Sequence, residues 1–297
     1  MTIFSSLHES WVLFREVIGW PLLFACSPVW LQRKIARLVE NNVTFYAKEV
    51  VAMSMHLPRY LPDSDLLAAG RDLRRILFID KSDVFFSSLF FQSSMRKRVV
   101  AQHLPDINKG ALILCAHRGN AWWSLPALNA QGKPVHFVSA PLSKPQQWKD
   151  YLIWPYHKLR WHAVNTLGGA ALIPMKGASQ KIKEILAKQG RVIALIDIPP
   201  SLAKHCSPVK FFDRIAYMPM QSIQTACDLG TPIYFCDADF DPVMFKQCLD
   251  FVAVNSQGGA SDVFQQYATW LETKILEQPG SWHFWGHVDS FFKPPST

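Results

Sequence analysis

The hydrophobic rhythm of the chain changes near residue 110. Before that point apolar residues recur at helical spacing; after it, short continuous apolar runs alternate with amphipathic stretches. Ile35, Leu38, Val39, Val43 and Tyr46 predict a helix over 35–60. A second helix is predicted over 65–80, opened by Asp63 or Ser64, and a third over 84–101. The third closes on Arg96, Lys97 and Arg98, a cluster that reads first as a solvated face. Beyond 110, residues 111–115, 135–139, 191–196, 232–236 and 245–254 read as strands. Residues 178–189, 219–229 and 262–277 read as helices, stopped by Gly190, Gly230 and Pro279-Gly280. This alternation predicts an α/β fold: a mixed, mostly parallel sheet flanked by helices, with a helical N-terminal extension. The expected division is a helical, membrane-associating segment over 1–60 and an α/β domain over 61–297.

Composition supports a packed protein that meets apolar or anionic partners. Hydrophobic residues make up 49% and charged residues 18%, which excludes disordered and coiled-coil chains. The formal charge of +8 favours phospholipid headgroups, nucleic acid or an acidic carrier protein. No aromatic-basic stripe or known motif supports nucleic acid, so none is expected as a partner. Eleven Trp and twenty Phe tilt the choice towards an apolar ligand or a membrane surface. The six Cys stand singly with no CxxC pair, which argues against a zinc site or a disulfide frame. The apolar run from Val17 to Leu31 is interrupted by Pro21 and Pro28 and falls short of the roughly 20 residues a spanning helix needs. It has no basic leader before it and no small-x-small cleavage site after it, unlike a secretory signal. With Trp11, Trp20 and Trp30 beside Arg33, Lys34 and Arg37, it suits a segment lying in the membrane interface; a packed helical hairpin is the alternative.

Chemistry is expected where apolar strands end in polar residues, because α/β sheets bind ligands beyond their carboxyl ends. Two such places stand out: Ala116-His117-Arg118-Gly119-Asn120 after 111–115, and Asp197 after 191–196. A His there serves as a general base or as a structural group held by loop carbonyls, and the residues leave both open. Asp197 likewise is a candidate for the same crevice or a turn former before Pro199-Pro200. Cys115 reads as a small buried strand residue rather than a nucleophile. G-x-S-x-G and P-loop signatures are absent, which lowers serine-hydrolase and nucleotide-dependent chemistry.

These residues carry a resemblance. Cys115-Ala116-His117-Arg118-Gly119-Asn120-Ala121-Trp122 resembles the first block of the bacterial lipid A late acyltransferases, the lauroyl and myristoyl transferases. That block is a hydrophobic strand, then His, four residues and an acid, often H-x-G-N-W-E. Ala140-Pro141-Leu142-Ser143-Lys144-Pro145 through Arg160 resembles the family's R-P-L-x-N-P stretch leading to an arginine. Gly190 through Asp197, then Val209-Lys210-Phe211-Phe212 with Met218 to Gly230, follow in the family's order. Trp270-Leu271-Glu272 through Pro279 and Trp285-Gly286-His287 resembles its closing block, so the likeness covers about 110–290.

The resemblance implies a peripheral enzyme on the cytoplasmic face of the bacterial inner membrane. It moves an acyl group from an acyl carrier protein or CoA thioester to a hydroxyl or amine, with no metal or organic cofactor. His117 is then the base. Trp122 stands where the family has its acid, and an indole donates one hydrogen bond and accepts none. Asp197 is therefore the expected substitute that orients His117. Arg118 and Arg160 are expected to meet an oxygen anion or phosphopantetheine, and Asn120 the acceptor or the thioester carbonyl. Gly119, Trp122 and His287 complete the expected substrate contacts. Pro199 and Val288 replace a family acid and a family arginine, which points away from phosphorylated lipid A as acceptor. A non-catalytic acyl-chain or acyl-carrier binding protein of the same descent is the alternative.

Overall fold

A computed structural model describes residues 3–89, 97–106, 108–142, 144–203 and 205–295; side chains of 3–7 and of Lys149 are outside the description. Arg96 and Ser143, named above, lie outside the described residues. The fold is α/β, with a seven-stranded, mostly parallel sheet and a helical N-terminal region. The N-terminal helices are α1 (Ile3–Phe14), α2 (Trp20–Cys26), α3 (Val29–Asn41), α4 (Ala47–Tyr60) and α5 (Leu66–Leu89), with a π-turn at Arg15–Gly19 between the first two. The strands are β1 (Val99–Gln102), β2 (Ala111–Cys115), β3 (Val135–Ser139), β4 (Ile173–Pro174), β5 (Arg191–Leu195), β6 (Ser207–Phe211), β7 (Arg214–Met218), β8 (Ile233–Asp241) and β9 (Lys246–Ala253). Among them run α6 (Ser124–Asn129), α7 (Trp148–Leu167), α8 (Ala178–Ala187) and α9 (Gln221–Asp228). Helices α10 (Ala260–Glu277) and α11 (Val288–Phe291) close the chain.

The sheet order is β1-β9-β8-β2-β5-β3-β4. Every pair is parallel except the β8–β9 hairpin, and β6–β7 form a separate antiparallel hairpin. Successive strand residues point to opposite faces, and the buried side chains sort accordingly. Leu112, Leu114, Val192 and Ala194 join the core under α3, α4, α5, α8, α9 and α10. Ala111, Ile113, Cys115 and Ile193 join the core under α6 and α7. Phe24, Ile35, Val39, Met53 and Leu57 belong to the first of these cores, so the helices before residue 60 share it with the sheet.

Several elements differ from the sequence pattern for identifiable reasons. The helix expected over 35–60 breaks after Asn41. Asn42 Oδ1 accepts the Thr44 N–H at 3.0 Å and Tyr46 takes a left-handed φ of 49°, so the chain turns before α4. The helices expected over 65–80 and from 84 are one helix, α5. Its polar stretch Lys81-Ser82-Asp83 does not interrupt it: Ser82 Oγ bonds the Phe78 carbonyl at 2.7 Å, and Asp80, Ser82 and Asp83 are all buried. The expected helix end at 99–101 is strand β1, where two Val residues suit an edge strand. Helix α7 escaped the sequence pattern because Pro155 and its mixed aromatic and basic residues blur the apolar stripe; Gln147 and Asp150 form its capping box.

Central strands predict the stability response. Ile193 is fully buried with strands on both sides, so Ile193→Ala should cost about 2–5 kcal/mol in denaturant unfolding. Ile215, 55% exposed on the β6–β7 hairpin, should change by less than about 0.5 kcal/mol as Ala.

Candidate active site

Strands β2 and β5 lie side by side and in register, with Cys115 opposite Leu195. Two residues beyond that pair stand His117 on one chain and Asp197 on the other. The chain leaving β2 turns to α6, whose Leu125 and Leu128 lie in the second core; the chain leaving β5 reaches α9, whose Ile223 and Ala226 lie in the first. Neighbouring strands that depart to opposite faces are where α/β sheets place ligand sites, and this pair of side chains stands at those strand ends.

Asp197 is completely buried and accepts three N–H groups. His117 Nδ1 lies 2.8 Å from Oδ1, the His117 backbone N–H donates to Oδ2 at 2.8 Å, and the Trp282 indole donates to Oδ2 at 3.1 Å. A carboxylate accepts only, so Nδ1 carries the ring hydrogen and Nε2 keeps its lone pair. The His117 side chain is 32% exposed, so the ring is partly open at the surface. The Phe284 ring meets the imidazole edge-on at 4.5 Å between centroids. Residues 281–283 run antiparallel to the His turn: Gly119 N donates to Ser281 O at 3.1 Å and His283 N to His117 O at 2.8 Å. Tyr267 on α10 donates its hydroxyl to the Cys115 carbonyl at 2.8 Å and fixes the strand end just before the turn.

The other expected residues fall into distinct places. Arg118 is buried, pairs with Asp237 and donates to Gln278 Oε1 at 3.2 Å and Lys274 O at 3.3 Å. Its guanidinium ties the turn to β8 and α10 rather than facing the crevice. Gly119 has φ +57°, and a Cβ there would lie 1.8 Å from the Ala238 carbonyl oxygen. Its part is the tight turn. Asn120 is buried and donates to Asp83 Oδ2 at 2.9 Å. Trp122 is buried beside Trp123, its indole N–H without a partner, and the carboxylate against the His117 ring is Asp197, two residues past β5. His287 is exposed, 5.9 Å from Phe284 between ring centroids.

Arg160 lines a cavity of about 420 Å³ at the carboxyl end of β3, the strand next to β5. Leu142, Ile153, Trp154, His157 and Trp161 share its wall. Arg160 Nη1 donates to Asp80 Oδ2 at 2.7 Å, and Lys81 Nζ lies 3.5 Å from the same oxygen. Burial pushes the Asp80 carboxyl up, but Arg160 and Lys81 outweigh it and hold it well below the usual carboxylate range. Burial, Lys81 and Arg160 together lower His157. Burial lowers His283 to about 4 against the pull of Asp80, with His117, Lys81 and Arg160 adding to the fall. At neutral pH both imidazoles are therefore uncharged. The arrangement offers an accessible base on one strand end and a fixed cation beside an apolar wall one strand away. Among the described residues no group of three His, Cys, Asp or Glu side chains is placed to hold a metal ion.

Sequence reasoning missed Trp282, Asp80, Asp83 and His283. The two aspartates left a readable signal: acids inside the run Ile76 to Phe86, which is otherwise mostly apolar, must find buried partners. Trp282 left none, because its role depends on a C-terminal segment folding back across the sheet.

Compared with models of known protein families the chain matches none, and the comparison with curated proteins gives no match either. The fold and site thus define the class: an α/β protein with a His–Asp pair at a switch point of its sheet.

Gly119→Ala tests the turn. The left-handed φ alone costs about 1 kcal/mol, and the collision with Ala238 adds to it. The variant should unfold at clearly lower denaturant, whereas Gly132→Ala, with open space around it, should lose only the cost of its own φ of +89°.

Proposed function

We propose that the protein transfers an acyl group from a thioester donor to a hydroxyl or amine acceptor, with His117 as general base and Asp197 as its orienting acid. The observation that carries this is the 2.8 Å contact between His117 Nδ1 and Asp197 Oδ1 at adjacent strand ends. His117 Nε2 takes the proton from the acceptor as its oxygen or nitrogen attacks the thioester carbonyl. A tetrahedral intermediate forms, the C–S bond breaks, and the imidazolium returns its proton to the departing thiolate. Asp197 stabilises the imidazolium between these steps, a triad without its serine. Support also comes from the ordered likeness of residues 110–290 to the lipid A late acyltransferases. Asp197 offers the carboxylate that Trp122 cannot.

The same reading takes an acyl carrier protein or CoA thioester as donor and gives Arg160 and its cavity to substrate. The +8 charge suits an acidic carrier. Peripheral attachment to the cytoplasmic leaflet is part of the proposal. No helix among the described residues is long and apolar enough to cross a membrane. Trp11, Leu23, Val29 and Trp30 are each about half or more exposed, and Lys34 sits over the Trp30 ring at 5.3 Å. Exposed indoles beside cations are the side chains an interface retains.

Two measurements check this. His117→Ala should lower acyl transfer about 10²–10⁴-fold while the donor still binds. Asp197→Asn should cost about 10⁴-fold, because the amide favours the wrong tautomer. Undiminished product in cells carrying His117→Ala would favour the alternative, an acyl-binding protein that does not catalyse. In flotation with vesicles containing anionic lipid, the protein should rise with the vesicles. The double variant Trp11→Ser, Trp30→Ser should stay behind.

A further inference from the structure

Asp83 lies outside the proposed chemistry, yet it is the buried hub on which the His117 turn rests. Its Oδ2 accepts three side-chain N–H groups: Asn120 Nδ2 at 2.9 Å, Trp123 Nε1 at 2.7 Å and Gln247 Nε2 at 2.8 Å. These donors come from the His117 turn, from the residues that follow it and from β9, while Asp83 itself belongs to α5. The two amides leave a mismatch. Asn120 Oδ1 and Gln247 Oε1 are both buried and have no donor. An ionised carboxylate only accepts, so it can satisfy neither oxygen; a protonated carboxyl carries one O–H and can satisfy one. An acid and an amide facing each other can then exchange two hydrogen bonds, N–H to carbonyl and O–H to carbonyl.

We infer that Asp83 is a positioning residue that acts as a neutral carboxyl, holding the His117 turn through a reciprocal acid–amide pair with Asn120. Burial supports it, pushing the Asp83 carboxyl up to about 7. The neighbours divide. Trp123, Arg98 and Asn120 favour the ionised form, and Asp80 opposes it. Arg98 is partly drawn away, since it donates to Gln32 Oε1 at 2.9 Å and stacks over Phe86. The sign follows from linkage. A carboxyl raised in the folded state contributes stability that is full below the unfolded value of 3.8 and is lost as pH rises through about 7. The turn itself should loosen only as the folded carboxyl ionises, at about 7.

The consequence for turnover rests on the acyl-transfer reading, but the proton itself is testable without it. Asp83→Asn keeps the shape, the three-fold acceptor and a donor towards Asn120, and it cannot ionise. Its unfolding midpoint should lack this pH dependence: wild type should weaken relative to the variant as pH rises from about 4 to about 7, and the gap should stay constant above about 8. The Trp123 indole N–H resonance, assigned with Trp123→Phe, should titrate in the wild-type protein with a midpoint near 7. That resonance needs no Asp83 variant to fold. An indole signal flat from about pH 5 to 9 overturns the inference, as does an Asp83→Asn protein whose stability follows pH as wild type does. Where transfer is measurable, the ratio of variant to wild-type rate should climb about tenfold per pH unit above 7 at its steepest. A folded Asp83→Asn protein with normal pH-dependent stability and no activity would show that the anion is needed. Failure of every variant and of wild type to transfer acyl groups would count against the function and leave the Trp123 titration standing.

Discussion

Removing a carboxylate from water is costly unless donors replace the lost hydration. Asp197 is wholly buried, and three N–H groups replace that water: the imidazole and backbone of His117, and the Trp282 indole. Each donor comes from a different constraint. The imidazole fixes the ring's tautomer, the backbone N–H fixes where the turn after β2 passes, and the indole fixes the C-terminal segment against both. Losing any one leaves a buried acceptor short of partners, so the site and the closing of the fold are held by the same oxygens. This is why residues 281–283, far away in sequence, form an antiparallel rung beside the His turn.

Parallel strands in register supply the rest of the geometry. With Cys115 opposite Leu195, equal extension of β2 and β5 brings the second residue past each into contact, and these are His117 and Asp197. Helix α5 braces the same region from one side. Residues three apart on a helix share a face. Asp80 therefore reaches Arg160 on α7 while Asp83 reaches the turn through Asn120. A helix broken at Lys81-Ser82-Asp83 would place neither. The uninterrupted α5 is thus tied to both the cation of the β3 cavity and the loop that carries His117.

The central strands β2 and β5 were legible because they are near-continuous apolar runs, a pattern set by burial on both faces, whereas the edge strands β1 and β4 were not. His117 and Asp197 were legible for the same reason: each is the abrupt polar residue at the end of such a run. Their contact was not, because strand order is a long-range property that no local pattern encodes. Arg118 illustrates the opposite error. Its place beside His117 suggested a ligand contact, yet adjacent residues in an extended turn point in opposite directions, and Arg118 turns inward to Asp237. Asp80 was read as the end of one helix and Asp83 fell in the gap before the next, since the polar triplet Lys81-Ser82-Asp83 between apolar runs looks like a loop until its partners are known.

Base chemistry at this site requires the His117 ring to present Nε2 to a ligand while Nδ1–H is held by Asp197. Nitrogen NMR of the imidazole, assigned with His117→Ala, measures this directly. The predicted result is a single tautomer with hydrogen on Nδ1 and a lone pair on Nε2 when the ring is neutral, converting to a mixture in Asp197→Asn. Hydrogen on Nε2 in the wild-type protein, or a ring that averages both tautomers with or without the Asp197 carboxylate, would contradict it.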